Sequence, residues 1–562
     1  MKATAKSDID QAMTLLDGNR RIWPKMDLEA LSDLVGELIR DLMACADDWA
    51  QASFKAKGVT RSTPGQGQEW LGGPGVTLRN LRLLGKSIRE IAQQGKPVIP
   101  GPVVTRPDGQ VVAQVFPASI YDSLFFMGTT AEVWMEPGVS AQNLPNEMAS
   151  AYASPKDSSE ICLVLGAGNV SSITPMDVFY KLFVERKLVV LKMHPVKAYL
   201  GPIFEKGCRA LIEPGYLKLV YGDVEEGKYL CNHDMVDEIH ITGSDRTHDL
   251  IVFGGDVDKQ KAAREPLNKR PISSELGNVS PMIVVPGEWS KKELKFQAEN
   301  IVSSLANNAG FNCNATRVIV THKDWPQRAA LLEEIRAVFR GMQTRAAYYP
   351  GASSRFEAFK AAHPGAELFG LKAEGMLPWM FIPNVDPDDH ENICFKKEAF
   401  CSLFSETALE ATDAKDFLEK ATHFANDVLW GTLSASLVIS PKTLKQPGMT
   451  AALDEAVAGL RFGTVSVNHW AAIGYALCTT TWGAFPGHDI YDIQSGKDVV
   501  HNTLMFDKVQ KSVVRGPFTT SPKPAWFVSH KNSPTVGRRM TSFEASPSIF
   551  KVPGMILGAL GG

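Results

Sequence analysis

A strand–helix–strand unit between residues 161 and 192 constrains the fold more than any other stretch. The apolar run Ile161–Leu165 enters a Gly-x-Gly turn, and a helical segment follows at 174–186. A second apolar run at 188–191 then ends in Lys192. Two parallel strands joined by a helix have this pattern, so we predict an α/β fold with a doubly wound parallel sheet. A strand, a small-residue turn and a helix start recur at 238–251, and the second half repeats the alternation.

Composition excludes several functional classes. A chain of 562 residues is too long for one compact core, so we expect two or three domains. The formal net charge of −3 argues against a general nucleic-acid-binding protein. No apolar run reaches the roughly 20 residues that span a bilayer, and no signal-peptide core precedes Arg21. The eight cysteines form no C-x-x-C pair, so we expect no metal site and a reducing, cytoplasmic location.

Two short stretches carry the chemistry. Glu275 lies in a Ser-Glu-Leu-Gly-Asn turn just before the apolar run 281–285. Cys313 lies in Asn-Asn-Ala-Gly-Phe-Asn-Cys-Asn, just before the apolar run 318–320. A carboxylate on a Gly-containing turn suits a general base, and small polar neighbours around the cysteine leave room for a substrate carbonyl.

In this order the two stretches resemble the aldehyde dehydrogenase superfamily, in which a Glu-Leu-Gly turn supplies the base and an Asn-x-Gly-x-x-Cys loop the nucleophile. The resemblance spans about residues 131–520 and implies two doubly wound Rossmann-like domains, cofactor-binding and catalytic, plus a small β oligomerisation element. It implies that Cys313 is the nucleophile, that Glu275 is the base and that Asn169 donates its amide to the oxyanion. Asn169 precedes Val170-Ser171, where the family usually has a proline two residues after the asparagine.

The same resemblance implies a nicotinamide cofactor. Lys192 would hold the adenosine ribose, Gly243 and Ser244 would form the pyrophosphate turn, Glu398 would bind the nicotinamide ribose and Phe400 would pack on its ring. On physical grounds, a small-residue turn at a helix start suits a pyrophosphate. Pro195 stands where NAD-preferring relatives often carry a glutamate, so both NAD and NADP stay open.

The implied reaction is oxidation of an aldehyde to a carboxylic acid through a cysteine thiohemiacetal and thioester. Glu275 favours this reaction over CoA-acylating aldehyde dehydrogenases and acyl-CoA reductases, which need no water-activating base. The loop after Cys313, one residue shorter than typical before Arg317, keeps that alternative open, and a catalytically silent cofactor-binding scaffold is the third. A group of aromatic residues suggests a hydrophobic or aromatic aldehyde: His469, Trp470, Trp482, Phe485, His488 and Tyr491.

The predicted organisation follows the resemblance. We expect a cofactor-binding domain (1–130 and 160–277), a catalytic domain (278–485), an oligomerisation element (131–159 and 486–524) and a C-terminal extension (525–562). The assembled protein would be a homodimer or homotetramer. Residues 56–76, rich in Gly, Pro, Ser and Thr, predict a loop. The extension has a basic patch and an apolar end, which would cover a neighbouring subunit or touch a membrane surface; we favour the first.

Overall fold

The computed structural model describes residues 1–59, 63–371 and 373–562. Its framework is two sheets, each flanked by helices, which confirms the α/β prediction with two Rossmann-like units. Two-stranded ribbons complete the strands: Arg345–Ala346 with Met376–Leu377, and Trp482–Gly483 with Val499–His501.

The smaller sheet has six strands. In spatial order they are Gly496–Lys497, Ile272–Glu275, Glu238–Thr242, Ile161–Leu165, Leu188–Lys192 and Leu217–Val220. All neighbours pair in parallel except Gly496–Lys497, which runs antiparallel to Ile272–Glu275. All five residues of Leu188–Lys192 are buried, as expected for a parallel strand covered on both faces.

The larger sheet has eleven strands. In spatial order they are Val103–Thr105, Val111–Phe116, Thr130–Met135, Val509–Arg515, Thr464–Val467, Ser434–Val438, Ser280–Val284, Thr316–His322, Leu403–Leu409, Trp379–Val385 and Glu367–Phe369. The strands from Val509–Arg515 to Trp379–Val385 pair in parallel. The first three strands and the last one pair antiparallel.

The larger sheet crosses one of the predicted domain boundaries. We assigned residues 1–130 to the cofactor-binding domain, but the strands Val103–Thr105 and Val111–Phe116 lie in the larger sheet. There they extend the antiparallel pair that Thr130–Met135 forms with Val509–Arg515. The remaining domain limits, including the oligomerisation element, stay a prediction.

Helices cover both sheets. They are Lys6–Asp17, Leu28–Ala44, Ala46–Ala56, Thr63–Trp70, Val76–Gln94, Ile120–Phe125, Ser150–Ala153, Ile173–Phe179, Gly201–Gly207, Arg209–Ile212, Val224–Cys231, Asp245–Phe253, Val257–Ala263, Lys291–Ala306, Arg328–Arg340, Ala352–Ala362, Ile393–Lys396, Ala414–Asp427, Pro441–Leu444, Met449–Gly459, Ala472–Leu477, Ser533–Ala545 and Val552–Leu560. None of the helices in the described ranges is both long and apolar enough to cross a membrane.

The loop predicted at 56–76 is wrong for most of its length. Thr63–Trp70 is helical and continues through the wider turn Leu71–Gly75, while residues 60–62 lie outside the described part of the chain. The glycine at 67 serves close packing and not a turn, because a Cβ there would lie 1.7 Å from the Ser533 hydroxyl oxygen. The C-terminal extension thus packs against the protein's own N-terminal helices.

Candidate active site

The predicted site residues of the smaller sheet all lie at the carboxyl ends of its strands. Lys192 and Glu275 are the last residues of their strands, and Asn169 follows Ile161–Leu165. Gly243 and Ser244 follow Glu238–Thr242. Parallel strands present this edge to ligands, so the topology alone brings these residues to one side of the sheet.

The loop that carries Cys313 is held in an unusual backbone conformation. Asn308, Ala309 and Gly310 all have positive φ, at 52°, 57° and 82°. A Cβ at residue 310 would lie 2.4 Å from the Cys401 carbonyl oxygen, so only glycine fits there. The Arg317 guanidinium links this loop to residue 401 by donating to the carbonyl oxygens of Gly310 at 2.5 Å and Cys401 at 2.7 Å.

The front of the loop is fastened through Asn308. The buried Lys57 ammonium donates to the Asn308 side-chain oxygen at 2.9 Å, and the Asn308 side-chain amide donates to the Phe311 carbonyl oxygen at 2.9 Å. The Tyr348 hydroxyl lies 2.9 Å from the same Asn308 oxygen and 3.2 Å from the Asn169 carbonyl oxygen. Tyr348 therefore links the cysteine loop to the turn that carries Asn169.

Cys313 differs from the other seven cysteines. All eight are free thiols, and Cys313 is partly exposed whereas the rest are buried. Its immediate wall is apolar and aromatic, formed by Leu433, Trp482, Val500 and Tyr475. A reactive thiol needs access for its substrate, so Cys313 is the cysteine suited to nucleophilic catalysis.

Glu275 lies beside this thiol in a site that keeps its carboxyl neutral. Burial raises the pKa of Glu275 to about 8, and hydrogen bonds from the Cys313 thiol and Trp482 offset only part of the rise. The Trp482 indole donates to Oε1 at 3.3 Å. Burial and the neighbouring Glu275 together raise the pKa of the Cys313 thiol well above its ordinary value. The resting pair therefore holds its protons, and the thiol needs the carboxylate to take one away.

Asn169 is buried, and its side-chain amide is unpaired among the described residues. Its side chain is 5 % exposed and makes no hydrogen bond to any residue within the described ranges. The amide is therefore free to donate to a ligand oxygen, as the resemblance implies.

The predicted cofactor turn is open to solvent. Gly243 and Ser244 are exposed, and the Ser244 hydroxyl caps the helix Asp245–Phe253 by accepting from the Thr247 amide at 3.2 Å. The Gly243 amide donates to the Glu275 carbonyl oxygen at 3.0 Å. Lys192 has no ion-pair partner among the described residues, and burial lowers the pKa of its ammonium. An unpaired lysine and a helix N-terminus at one sheet edge fit a dinucleotide.

Glu398 and Phe400 reach the site from the larger sheet. The Asn278 backbone N–H donates to Glu398 Oε1 at 3.2 Å. Burial raises the pKa of the Glu398 carboxyl to about 7. Phe400 has a positive φ of 41° and packs edge-on against Tyr349, with ring centroids 4.9 Å apart. It also contacts Phe311 of the cysteine loop at 6.0 Å. Phe400 therefore borders the Cys313 loop, and Glu398 borders the turn that carries Glu275.

Sequence reasoning missed a buried polar cluster behind Tyr475. Asp177 Oδ1 lies 2.9 Å from His501 Nε2, and Asp177 Oδ2 accepts from the Thr242 hydroxyl at 3.0 Å and lies 3.5 Å from His240 Nε2. The His501 ring contacts Tyr475, which packs on Trp482 and beside Cys313. The sequence signal that was available is that three buried polar residues, Glu238, His240 and Thr242, alternate with isoleucines in this strand.

The six aromatic residues predicted to line a substrate mouth do not form one wall. Trp482 contacts Glu275, and the Trp470 indole donates to the Asn314 carbonyl oxygen at 2.7 Å. His469 instead lies 3.2 Å from the Thr129 hydroxyl. The Tyr491 ring packs under Arg264 at 3.9 Å, away from the cysteine. Proximity in sequence suggested one surface, but the turns of this segment separate the side chains.

Taken together, the fold and the site define a class: a two-unit α/β protein with a partly exposed thiol, a buried carboxyl beside it and a nucleotide-type turn at the same sheet edge. A sequence profile of the aldehyde dehydrogenase family matches residues 172–352, which include Lys192, Glu275 and Cys313. Over this segment the chain is similar to the aldehyde dehydrogenase family.

Solved structures share the fold at low sequence identity. AldH of Staphylococcus aureus, in a substrate-bound state, has 14% identity and a TM-score of 0.60, with 92% of this chain and 95% of that chain covered. NADP-dependent glyceraldehyde-3-phosphate dehydrogenase of Bacillus halodurans C-125, complexed with NADP, has 16% identity and a TM-score of 0.61, with 92% of each chain covered. A mutant of aldehyde dehydrogenase C of Pseudomonas syringae, complexed with NAD+ and octanal, has 15% identity and a TM-score of 0.61, covering 92% and 90%.

Proposed function

We propose that this protein oxidises an aldehyde to a carboxylic acid with NAD or NADP as the acceptor, through a thioester on Cys313. The observation that carries the proposal is the pairing of the one partly exposed thiol with a buried carboxyl. Such a pair is what a cysteine nucleophile and its base require.

The chemistry begins when Glu275 has lost its proton to solvent, because only the carboxylate can then take the proton from the Cys313 thiol. The thiolate then attacks the aldehyde carbonyl carbon and forms a thiohemiacetal. The developing oxyanion is held by the Asn169 amide, which has no protein partner in the described part of the chain. Donors already in place when charge develops cost no reorganisation in the transition state.

A bound nicotinamide dinucleotide would supply the hydride acceptor. Lys192 would hold its adenosine ribose, the turn at Gly243 and Ser244 its pyrophosphate, and Glu398 its nicotinamide ribose, with Phe400 beside the ring. Of the structural relatives, one is complexed with NAD+ and another with NADP. Pro195 offers no carboxylate to exclude a 2′-phosphate, so both cofactors are proposed.

The second half of the cycle releases the acid. Glu275, once it has lost its proton to solvent, takes a proton from water, and the resulting hydroxide attacks the thioester carbon. The Cys313 thiolate leaves and the carboxylic acid departs. A carboxyl whose pKa lies at about 8 is a stronger base than an ordinary glutamate when ionised near neutral pH.

The walls of the site support an apolar substrate. The side chains around Cys313 are Leu433, Val500, Trp482 and Tyr475, which favour an aliphatic or aromatic aldehyde over a charged one. We also propose a homodimer or homotetramer, which the mass of the protein in solution tests.

The test is an aldehyde panel of differing length and aromaticity, run with NAD and with NADP, each with and without CoA. We expect CoA-independent formation of reduced cofactor, fastest with apolar aldehydes. Strict CoA dependence would instead assign an acyl-CoA reductase, and cofactor binding without turnover would assign a silent scaffold. Cys313→Ala should abolish turnover and keep cofactor binding, whereas the control Cys45→Ala, at a buried cysteine among the N-terminal helices, should keep both.

A further inference from the structure

The C-terminal helix Val552–Leu560 has no polar face. Val552 and Met555 point inward and join a small core around Phe543. On the opposite side Leu557 is 69% exposed and Leu560 is 63% exposed, one helical turn apart. A helix that is apolar all round is normally buried in protein or lipid, so this one has an unfilled side.

The exposed apolar surface extends beyond that helix. In the preceding turn Phe550 is 92% exposed. The helix Ile120–Phe125 packs on the same core, with the Tyr121 and Phe125 rings 5.1 and 5.2 Å from Phe543. We define the C-terminal apolar face as Ile120, Leu124, Met127, Ile549, Phe550, Ile556, Leu557 and Leu560. These are eight of the eighteen large hydrophobic side chains exposed in the described part of the chain, a concentration typical of a docking surface.

Basic groups line this face. Lys551 lies at the start of the helix, where its ammonium donates to the Ser542 carbonyl oxygen at 2.8 Å. Arg539 lies along its flank and donates to the Gly554 carbonyl oxygen. Lys531 follows His530, whose ring lies against Gly562 beyond the helix end. The face therefore has a cation near each end and one between them.

The acidic residues of these helices do not offset those cations. Glu544 is 3% exposed and pairs with Arg79 and Arg82. Asp122 is 5% exposed and also pairs with Arg79. The chain as a whole carries a net charge of −3, so the positive rim is local to this face.

We propose that the C-terminal apolar face docks on an anionic phospholipid surface and lies in the plane of the interface. The apolar side chains enter the boundary between headgroups and acyl chains, and the basic rim pairs with lipid phosphates. A second copy of the chain is disfavoured, because a two-fold contact would bring like-charged rims together. This reverses the preference that the sequence of the extension suggested, and it does not depend on the proposed reaction.

Co-sedimentation of the full chain with vesicles tests the proposal. We expect binding to phosphatidylcholine vesicles that contain phosphatidylglycerol, weaker binding to phosphatidylcholine alone, and loss of the difference at high salt. Leu557→Glu and Phe550→Ser should each weaken binding on the order of tenfold, because each removes one inserted side chain. The control Val224→Glu, at a side chain 60% exposed on the smaller-sheet unit, should bind like the natural protein.

Solution mass measured for the same variants separates the alternatives. Unchanged mass with reduced vesicle binding supports the proposal. A face that joins two copies would show a drop in mass for Leu557→Glu and no vesicle binding by the natural protein, and that result would overturn it. Equal binding of Leu557→Glu and the natural protein would also overturn it. Retained dehydrogenase turnover, or a retained cooperative unfolding transition if the proposed reaction fails, shows that the variants are folded.

Discussion

Two buried carboxyls near the active site have opposite electrostatics. Burial raises the pKa of Glu275 to about 8, since a thiol and one long indole hydrogen bond are its main partners. The pKa of Asp177 is lowered to about 2 although burial opposes this, because His240 and His501 face it. The difference shows that partners, and not depth, decide which carboxyl can exchange a proton. Asp177 is a fixed negative charge, and Glu275 is a carboxyl that can exchange its proton near neutral pH.

The largest expected effect comes from Glu275→Gln. Steady-state turnover should fall about 10²–10⁴-fold, the usual contribution of a general base. If hydride transfer still occurs, thioester accumulates, and rapid mixing should show a burst of reduced cofactor. An unchanged steady rate would assign the base elsewhere. Glu288→Gln, at an exposed glutamate, serves as the control.

Asp177→Asn tests the other carboxyl of the pair by removing the buried negative charge. Loss of the carboxylate leaves two buried histidines with a weaker partner, so unfolding free energy should fall by about 1–3 kcal/mol. The Asp177 charge also raises the pKa of Glu275, so its removal should move the acid limb of the kcat/KM profile to lower pH. Chemical denaturation and a pH–rate series measure the two effects. A limb that moves to higher pH would contradict the coupling.

The two carboxyls should also give stability opposite pH dependences. Between pH 4.5 and about 8, Glu275 keeps its proton in the folded protein but releases it in the unfolded chain. Its contribution to the free energy of unfolding therefore falls as pH rises, by at most about 1.4 kcal/mol per pH unit. For Asp177 the folded pKa of about 2 lies below the ordinary 3.8, so its contribution is present above 3.8 and is lost toward pH 2. Chemical denaturation at pH 5, 6.5 and 8 should show the free energy of unfolding of Glu275→Gln rising relative to that of the natural protein as pH rises. Parallel stability curves would rule out the raised pKa.

The smallest effect is expected for Trp482→Phe. The indole N–H stabilises the Glu275 carboxylate, so its loss should raise the kinetic pKa by less than about one unit with the ring packing kept. The pH profile of kcat/KM measures this shift. A downward shift would mean that the indole favours the neutral acid.

The sequence predicts the parts of the site that depend on local pattern. Apolar runs ending in Lys192 and Thr242 predict strands whose ends meet at one edge, and the glycine turns mark Glu275 and Cys313. Asp177 and His501 are far apart in sequence, and nothing local marks a buried partner, so their pairing depends on tertiary packing. The glycines of 56–76 suggested a loop because their role, close approach of the helix Ser533–Ala545, is also tertiary. The aromatic residues of 469–491 were wrongly grouped for the same reason.

The hydrogen bond from the Gly243 amide to the Glu275 carbonyl oxygen has a consequence for redesign of this enzyme. This bond connects the backbone of the turn proposed to hold the dinucleotide pyrophosphate to the backbone of Glu275, the proposed base. Substitutions at residues 243 and 244 that are meant to change coenzyme preference should therefore be assayed for hydrolysis as well as for cofactor affinity.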